Sequence, residues 1–136
     1  AEPAVRKYVS VDGGMSDNIR PALYGATYSA YLANRTSTAN IIKTRVVGKH
    51  CESGDIVVRH DYLPSDISVN DVLAVAATGA YCYSLSSNYN WLTKPPVVAV
   101  SKGSSRVILR GETEADLFAL DVRYQADQAT KKNVKG

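Results

Sequence analysis

Arg20 and Tyr24 lie four residues apart and could together bind an anionic ligand. They follow the paired glycines Gly13 and Gly14, which permit backbone shapes closed to other residues and are expected to break the preceding strand. If residues 19–24 form one helical turn, both side chains share a face. A guanidinium can bind a carboxylate through two hydrogen bonds, and a phenol can add a third. The spacing therefore predicts a carboxylate-binding pair.

A structural interpretation of the same pair competes with this one. Pro21 fits a helix only in the first turn, and the residues before it are typical of a helix cap. Arg20 could then pair with a nearby acid, Asp12 or Asp17, while Tyr24 packs as an amphipathic core residue. From the residues alone, this structural interpretation is the favoured one of the two.

The loop expected at residues 48–55 puts an imidazole, a thiol and a carboxylate side by side as His50, Cys51 and Glu52. Loops between strands can aim such side chains at a ligand. Adjacent residues of an extended chain point in opposite directions, so His50 and Cys51 need not form a nucleophile pair, and a covalent cysteine hydrolase is the weaker interpretation. A protonated thiol can instead give its proton to a carbanion. We interpret His50 as a hydrogen-bonded structural histidine.

Two tyrosines flank the second cysteine. Strand alternation over residues 78–84 predicts Tyr81 and Tyr83 on one face and Cys82 on the other. Small residues before Tyr81 leave room for a bulky group near its hydroxyl. The alternative is aromatic packing on a sheet beside a buried free cysteine.

Short runs of β-branched and aromatic residues predict strands at residues 8–11, 28–32, 41–47 and 55–59. The continuous apolar run at 72–76 suits a strand buried near the centre of a sheet. Residues 96–101 and 105–110, joined by a polar link containing Gly103, predict a hairpin. Repeated strands without intervening helices indicate a mainly β fold, either an antiparallel β-sandwich or an open barrel.

The carboxyl-terminal stretch changes character. Residues 112–120 place acids before apolar residues at helical spacing, which predicts a short terminal helix. The polar, lysine-rich stretch beyond Tyr124 is expected to be disordered. We therefore assign residues 1–124 to one β-domain and residues 125–136 to a disordered tail.

Size, charge and cysteine content exclude several classes of protein. The 136 residues suit one domain, and much of the net charge of +3 comes from residues 131–135, so the charge does not favour a nucleic-acid partner. No apolar stretch approaches the roughly 18 residues of a membrane span. Residues 1–7 contain no secretory signal, which indicates a cytoplasmic protein. Cys51 and Cys82 are expected to be free thiols, and no metal site is expected.

Three motifs, taken in order, closely resemble the carboxyl-terminal signatures of the diaminopimelate decarboxylases. The resemblance extends from about Arg6 to Arg123, essentially the whole folded part. The motifs are Asp12-Gly13-Gly14-Met15-Ser16-Asp17-Asn18-Ile19-Arg20-Pro21-Ala22-Leu23-Tyr24, His50-Cys51-Glu52-Ser53-Gly54-Asp55 and Thr78-Gly79-Ala80-Tyr81-Cys82-Tyr83.

The resemblance implies a fold-type III enzyme in which an α/β barrel binds pyridoxal phosphate and this β-domain completes the site at a homodimer interface. It implies that Arg20 and Tyr24 bind substrate, with Arg20 at a carboxylate, and that Tyr81 contacts cofactor and substrate. Cys51 and Glu52 would reach into the active site of the other subunit. There Glu52 would bind the substrate and Cys51 would donate a proton.

The implied reaction converts meso-2,6-diaminopimelate to L-lysine and carbon dioxide, the last step of lysine biosynthesis, with the cofactor delocalising the charge left on carbon. In this family the cofactor lysine and a Glu-Pro-Gly-Arg phosphate segment lie in the barrel. Glu2-Pro3-Ala4-Val5 does not match that segment, and no lysine of this chain is assigned the role. The chain alone is therefore expected to be inactive.

Two other functions compete with this one. The chain could be a non-catalytic β-domain that dimerises with or regulates a decarboxylase. It could also belong to a related decarboxylase that acts on ornithine or arginine. The intact Arg20, Cys51, Glu52 and Tyr81 favour a catalytic domain over the first. The glutamate after Cys51 and the spacing of Arg20 and Tyr24 favour the diaminopimelate branch over the second.

Overall fold

A computed structural model describes residues 6–133 of the chain. Residues 1–5, most of the segment on which the absence of a secretory signal is predicted, and residues 134–136 of the tail lie outside this part. The chain divides into two compact units, the first ending at Ser87 and the second beginning at Asn88. Besides a 3₁₀ turn at Tyr89–Trp91, the elements are β1 (Lys7–Ser10), α1 (Arg20–Tyr24), β2 (Ala30–Leu32), β3 (Ile41–Val47), β4 (Ile56–Pro64), β5 (Leu73–Val75), β6 (Val97–Ser101), β7 (Ser104–Leu109), α2 (Glu114–Leu117) and α3 (Val122–Asn133).

The first unit contains two open sheets. One has the strand order β1-β3-β4, with β1 parallel to β3 and β3 antiparallel to β4. The other pairs β2 with β5 in antiparallel register. The β1–β3 pair differs from the all-antiparallel prediction, because the connection between these strands runs through α1 and β2 before the chain returns beside β1.

The core of the first unit is small and lies between these two sheets. Its buried members are Ala30, Val46, Val58 and Leu63, and none is more than 4% exposed. Val46 comes from β3, Val58 and Leu63 from β4 and Ala30 from β2, and the register shift in the β3–β4 pair lets Val58 and Leu63, five residues apart, both face the core. The core thus fixes the strands whose ends carry the loops at residues 11–19 and 48–55.

The apolar run at residues 72–76 does form a strand, but its predicted central position is wrong. β5 is three residues long and pairs with β2 in a sheet of two strands. Leu73 and Val75 pack against the core while Ala74 between them is exposed. Ala74 is apolar but small enough to be exposed, so the continuous apolar run forms an edge strand with alternating burial.

Helix α1 confirms the predicted helical turn. Pro21 occupies its first turn, and the chain leaves the helix at Gly25, which has the left-handed angles φ 66° and ψ 21° that favour glycine. The Asn18 side chain accepts a hydrogen bond from the backbone N–H of Arg20 at 3.2 Å. Arg20 is thereby the first residue of a short, well-terminated helix.

The second unit confirms the predicted hairpin and the short helix after it. β6 and β7 pair in antiparallel register around a turn that contains Gly103, with φ 75°. α2 begins with a capping box in which Thr113 and Asp116 each accept a bond from the backbone of the other. All six residues of β7 are exposed, so this hairpin buries little apolar surface in the described chain.

Over residues 125–133 the structure differs from the predicted disorder of residues 125–136, and the last three residues of that tail lie outside the described part. Helix α3 runs from Val122 to Asn133. Asp121 accepts hydrogen bonds from the backbone N–H groups of Arg123 and Tyr124, so it caps the helix. A polar composition is typical of disorder, but a capped run rich in Gln, Ala and Lys is also a good helix former. The assignment of residues 1–124 to one domain stays a prediction.

The described residues therefore confirm a mainly β fold with few helices, in which the sheets remain open rather than closing into a barrel. Within residues 6–133, no helix is both long and apolar enough to cross a membrane.

Candidate functional site

The loop at residues 48–55 is closed by one buried side chain. The carboxylate of Asp55, a residue only 3% exposed, accepts hydrogen bonds from the backbone N–H groups of His50 at 2.7 Å and Met15 at 2.6 Å. The backbone of Asp55 bonds the same loop twice, receiving the N–H of Gly48 and donating to the carbonyl of Glu52. Asp55 thus joins the loop to itself and to the segment that leads into α1.

The glycines around this carboxylate are required for space. A β-carbon on Gly14 would lie 2.9 Å from the His50 ring and about 3 Å from both Asp55 carboxylate oxygens, and one on Gly48 would overlap the Asp55 carboxylate. The prediction that Gly13 and Gly14 serve unusual backbone shapes is wrong, since the glycines with left-handed angles among residues 6–133 are Gly25 and Gly103. Close packing, rather than conformational freedom, explains Gly14.

The predicted divergence of His50 and Cys51 is confirmed. His50 is buried and its Nε2 lies 2.8 Å from the Ser16 hydroxyl, whereas Cys51 is exposed. The interpretation of His50 as a hydrogen-bonded structural residue is therefore confirmed as well. Glu52 is exposed beside Cys51. The loop presents a thiol and a carboxylate on its outer side.

Arg20 is held between two tyrosines that the sequence places far apart. Its Nη1 donates to the Tyr28 hydroxyl at 3.0 Å, and its guanidinium carbon lies 5.6 Å from the centre of the Tyr81 ring. Such a distance is typical of a cation–π contact. Among the described residues Arg20 makes no ion pair, and Asp17 lies instead 3.8 Å from the Lys49 ammonium. The structural alternative in which Arg20 pairs with an acid is wrong.

Residues 78–84 do not form the predicted strand. Tyr81 has a left-handed backbone with φ 68°, which is strained for a bulky residue. Its carbonyl accepts the N–H of Leu85 at 2.8 Å, so the chain turns here. The sides on which the side chains lie are nevertheless as predicted, with Tyr81 and Tyr83 exposed and Cys82 buried at 6%.

Tyr24 shares α1 with Arg20 but has a different environment. It is 64% exposed, and the hydroxyl that Arg20 binds belongs instead to Tyr28, four residues further on. The alternative that Tyr24 is a core residue is therefore wrong. The structure leaves Tyr24 open to solvent on the turn that follows Arg20.

The candidate residues divide between two cavities of the first unit. Arg20 lines one cavity with Tyr28, Tyr31 and His60, and this lining includes no lysine. Glu52 lines the other together with His50. Among residues 6–133, the structure thus brings Arg20 and Tyr81 together but does not bring Cys51 and Glu52 into the cavity of Arg20.

A basic cluster surrounds His60, and sequence analysis missed it. Partial loss of hydration lowers the pKa of His60, and the positive charge of Arg45 lowers it further, with smaller effects from Arg6, Lys43 and Arg59. These cations come from two strands and the residue before a third, so they are separated in sequence. Their common effect favours the neutral imidazole on the wall of the Arg20 cavity.

Two further residues escaped the sequence analysis. Tyr28 binds Arg20 from outside any recognised motif, and no spacing signal points to it. Asp55 ends a recognised motif, and its place before a strand next to a glycine gave only a weak signal of a role in the loop. Tyr28 reaches Arg20 across eight residues, and Asp55 reaches Met15 across 40.

Comparison with known proteins identifies the family of the sheet domain. Residues 2–79, more than half of the chain, match the pyridoxal-dependent decarboxylase C-terminal sheet domain. The chain belongs to this family. The matched part of the sheet domain includes Arg20, Cys51 and Glu52 and ends two residues before Tyr81.

The relatives that this sheet domain resembles include several diaminopimelate decarboxylases. Diaminopimelate decarboxylase of Mycobacterium tuberculosis strain H37Rv is 62% identical over 120 residues, which cover 88% of this chain and 27% of the relative. That of Bacillus subtilis is 46% identical over 90% of this chain and 28% of its own length. A crystal structure of Helicobacter pylori diaminopimelate decarboxylase complexed with L-lysine matches with a TM-score of 0.75 and 34% identity, over 85% of this chain and 28% of that one.

The sheet domain thus spans about a quarter of the length of the curated relatives that it matches.

Proposed function

We propose that this chain is the C-terminal domain of a diaminopimelate decarboxylase, which converts meso-2,6-diaminopimelate to L-lysine and carbon dioxide. The single observation that carries the proposal is the contact of Arg20 with Tyr81 in a chain that belongs to this decarboxylase family. The two residues are 61 positions apart in the sequence. It joins two of the three motifs in one place beside a cavity. Arg20 uses Nη1 for Tyr28 and has further N–H groups available for a carboxylate.

The substrate has a charged group at each end, which explains the two kinds of binding residue. Arg20 would bind a substrate carboxylate through paired hydrogen bonds, with Tyr24 as an additional donor, while Glu52 would bind an ammonium group. In a partly dry site each charge needs an opposite partner. The separation of Glu52 from the Arg20 cavity is consistent with a homodimer in which each subunit supplies one half of a site.

Cys51 would supply the proton that replaces the departing carboxyl group. The chemistry that pyridoxal phosphate supplies, when bound, is delocalisation of the electron pair left on the substrate carbon. The proton moves from the Cys51 sulfur to that carbon, and the resulting thiolate regains a proton from water. The exposure of Cys51, and the burial of the neighbouring His50 against the Ser16 hydroxyl, favour an acid over a nucleophile with a histidine base.

The described residues fit part of a cofactor site. Tyr81 presents a ring that is 66% exposed and could contact pyridoxal phosphate. Among residues 6–133, Lys7 donates to two carbonyl groups and Lys49 lies near Asp17, and no lysine lines the Arg20 cavity. The lysine and the phosphate-binding segment would therefore belong to a barrel domain of the same enzyme.

Exposed apolar residues support a larger protein around this domain. Val100, Val107 and Ile108 of the hairpin are each more than half exposed, and an isolated two-stranded hairpin is marginally stable in water. A barrel domain or a second subunit would cover such a surface. Because its relatives are biosynthetic enzymes, we place the proposed homodimer in the cytoplasm.

The proposal is tested with the full-length polypeptide that carries this chain, supplied with pyridoxal phosphate. We expect carbon dioxide release from meso-diaminopimelate and little from ornithine or arginine. Release mainly from ornithine or arginine would support the related decarboxylases instead, and no release from any of them would support a non-catalytic domain.

Cys51→Ala tests the proton donor, with Cys82→Ala as the matched control. We expect Cys51→Ala to lower kcat by about 100-fold or more while KM changes little, because the thiol acts after binding. Cys82 is buried whereas Cys51 is exposed, so the Cys82→Ala variant should retain kcat. Equal losses in kcat and affinity, or no loss, would contradict the donor role of Cys51.

A further inference from the structure

Asp55 forms hydrogen bonds on both sides of Cys51 and Glu52, the two residues of the 48–55 loop that are proposed to act on the substrate. Its carboxylate receives the N–H of His50, the residue immediately before Cys51, and its own N–H donates to the carbonyl of Glu52 at 3.0 Å. The dipeptide Cys51-Glu52 is therefore fixed at both ends by one residue. From this geometry we propose that Asp55 is the positioning residue for Cys51 and Glu52, an inference that rests on the proposed function.

The same carboxylate links this loop to the segment that precedes Arg20. Met15 donates its N–H to Asp55 at 2.6 Å, and Lys49 donates its N–H to the carbonyl of Gly13. Ser16, next to Met15, binds the His50 ring. Movement of the loop relative to residues 13–16 would break these bonds together, so Asp55 sets where the thiol and the Glu52 carboxylate lie relative to the body of the domain.

Burial explains why a carboxylate serves this purpose. Asp55 is 3% exposed, and Gly14 and Gly48 lack the side chains that would displace it. An ionised carboxylate accepts several backbone N–H bonds at once, which an asparagine of the same shape cannot do with its amide nitrogen. Asp55→Asn therefore removes part of this bonding while retaining the volume of the side chain.

Asp61 provides a matched control in the same unit. Its carboxylate also accepts two backbone N–H groups, from Ala30 at 2.7 Å and from Tyr62 at 2.8 Å. Neither donor adjoins Cys51 or Glu52. A purely structural role for both aspartates predicts similar consequences for Asp55→Asn and Asp61→Asn.

The experiment compares these two variants in the full-length polypeptide with pyridoxal phosphate. In Asp55→Asn we expect about 10-fold faster amide hydrogen exchange at Met15 and His50, about 10-fold lower kcat and a raised KM for meso-diaminopimelate. In Asp61→Asn we expect faster exchange at Ala30 and a kcat within about two-fold of the parent. Equal losses of kcat in the two variants would overturn the proposal.

A double-variant cycle separates positioning from general damage. If Asp55 acts through Cys51, Asp55→Asn should change kcat by less than about two-fold in a Cys51→Ala background. Multiplication of the two losses would overturn the proposal. Should Asp55→Asn fail to fold, Ser16→Ala removes the hydroxyl that binds the His50 ring beside Asp55, and the same cycle with Cys51→Ala applies to it.

The exchange measurement keeps the two proposals distinguishable. If the parent releases no carbon dioxide, the proposed function fails, and the positioning role is judged on the loop alone. Faster exchange at Met15 and His50 in Asp55→Asn, with normal exchange at Ala30, would still support it. Unchanged exchange at Met15 and His50 would overturn it whatever the activity.

Discussion

Two loops of the first unit end on an aspartate whose carboxylate binds both its own loop and a distant segment. The two aspartates differ in the kind of donor that the distant segment supplies. In residues 48–55, Asp55 binds the N–H of His50 within the loop and that of Met15 outside it. In residues 65–71, Asp71 binds the N–H of Ser68 within the loop, and its distant partner is the guanidinium of Arg35.

The two aspartates differ in how far their hydrogen-bond partners are exposed to water. Arg35 is 32% exposed and makes two bonds of 2.7 Å to Asp71, with Asp66 and Ser37 completing a cluster at the surface. Asp55 is buried and its described donors are backbone groups, which are fixed by the fold. A backbone donor cannot turn to water if its acceptor is lost, whereas a surface guanidinium can. We therefore expect the 48–55 loop to depend more strongly on its aspartate.

The largest effect should come from Asp55→Ala. The N–H groups of His50 and Met15 would lose their acceptor, which lowers the free energy of unfolding by about 1–3 kcal/mol for the buried His50 donor and by less for the part-buried Met15 donor. Urea denaturation of the full-length protein measures this loss. A smaller loss than that of Asp71→Ala would reverse the comparison between the two loops.

Gly48→Ala should have the next largest effect. The new β-carbon would overlap the Asp55 carboxylate, and overpacking of this kind costs about 1–3 kcal/mol. Gly54→Ala is the control, because its β-carbon would meet no atom within 4 Å and its φ lies outside the left-handed region. Thermal unfolding should show a lowered Tm for Gly48→Ala and an unchanged or slightly raised Tm for Gly54→Ala. Equal changes would mean that Asp55 does not limit this position.

Arg35→Gln tests the surface cluster through pH. Hydrogen bonds from Arg35 lower the pKa of Asp71. The pKa of Asp66 is lowered most by its hydrogen bond with Ser37 and next by its hydrogen bond with Arg35. A carboxyl with a lowered pKa contributes stability above its unfolded pKa near 4, and this contribution is lost as the pH falls through the folded value. The urea midpoints of parent and variant should therefore differ at pH 7, by less than for Gly48→Ala, and converge towards pH 2. A constant difference over this range would contradict the assignment.

Local signals in the sequence predicted much of the fold, whereas long-range contacts escaped it. Alternation and β-branched residues predicted β3 and the β6–β7 hairpin, and the antiparallel partner of each of these strands follows or precedes it directly in the chain. They misplaced β5, because the position of a strand within a sheet depends on partners about 40 residues away. A capping aspartate at position 121 outweighed the polar composition of α3.

In the candidate site, too, local motifs predicted some features and long-range contacts determine the others. Motifs identified Arg20 and Tyr81 as residues of one site, and the structure brings them into contact. No local pattern could predict the left-handed backbone of Tyr81 or the hydrogen bond from Arg20 to Tyr28, since each depends on how separate segments meet. Asp55 was visible in the sequence only as the end of a motif.

The smallest effect is expected from Lys49→Gln, which acts on the same loop as Asp55 but at its surface. The Lys49 ammonium lies 3.8 Å from Asp17, and both side chains are a quarter or more exposed, so the pair contributes less than about 0.5 kcal/mol to the free energy of unfolding. This small contribution should fall further in high salt because exposed charges are screened. Urea denaturation at low and high salt measures both quantities. A loss as large as that of Asp55→Ala would mean that charge, rather than the buried backbone bonds, joins the loop to residues 13–17.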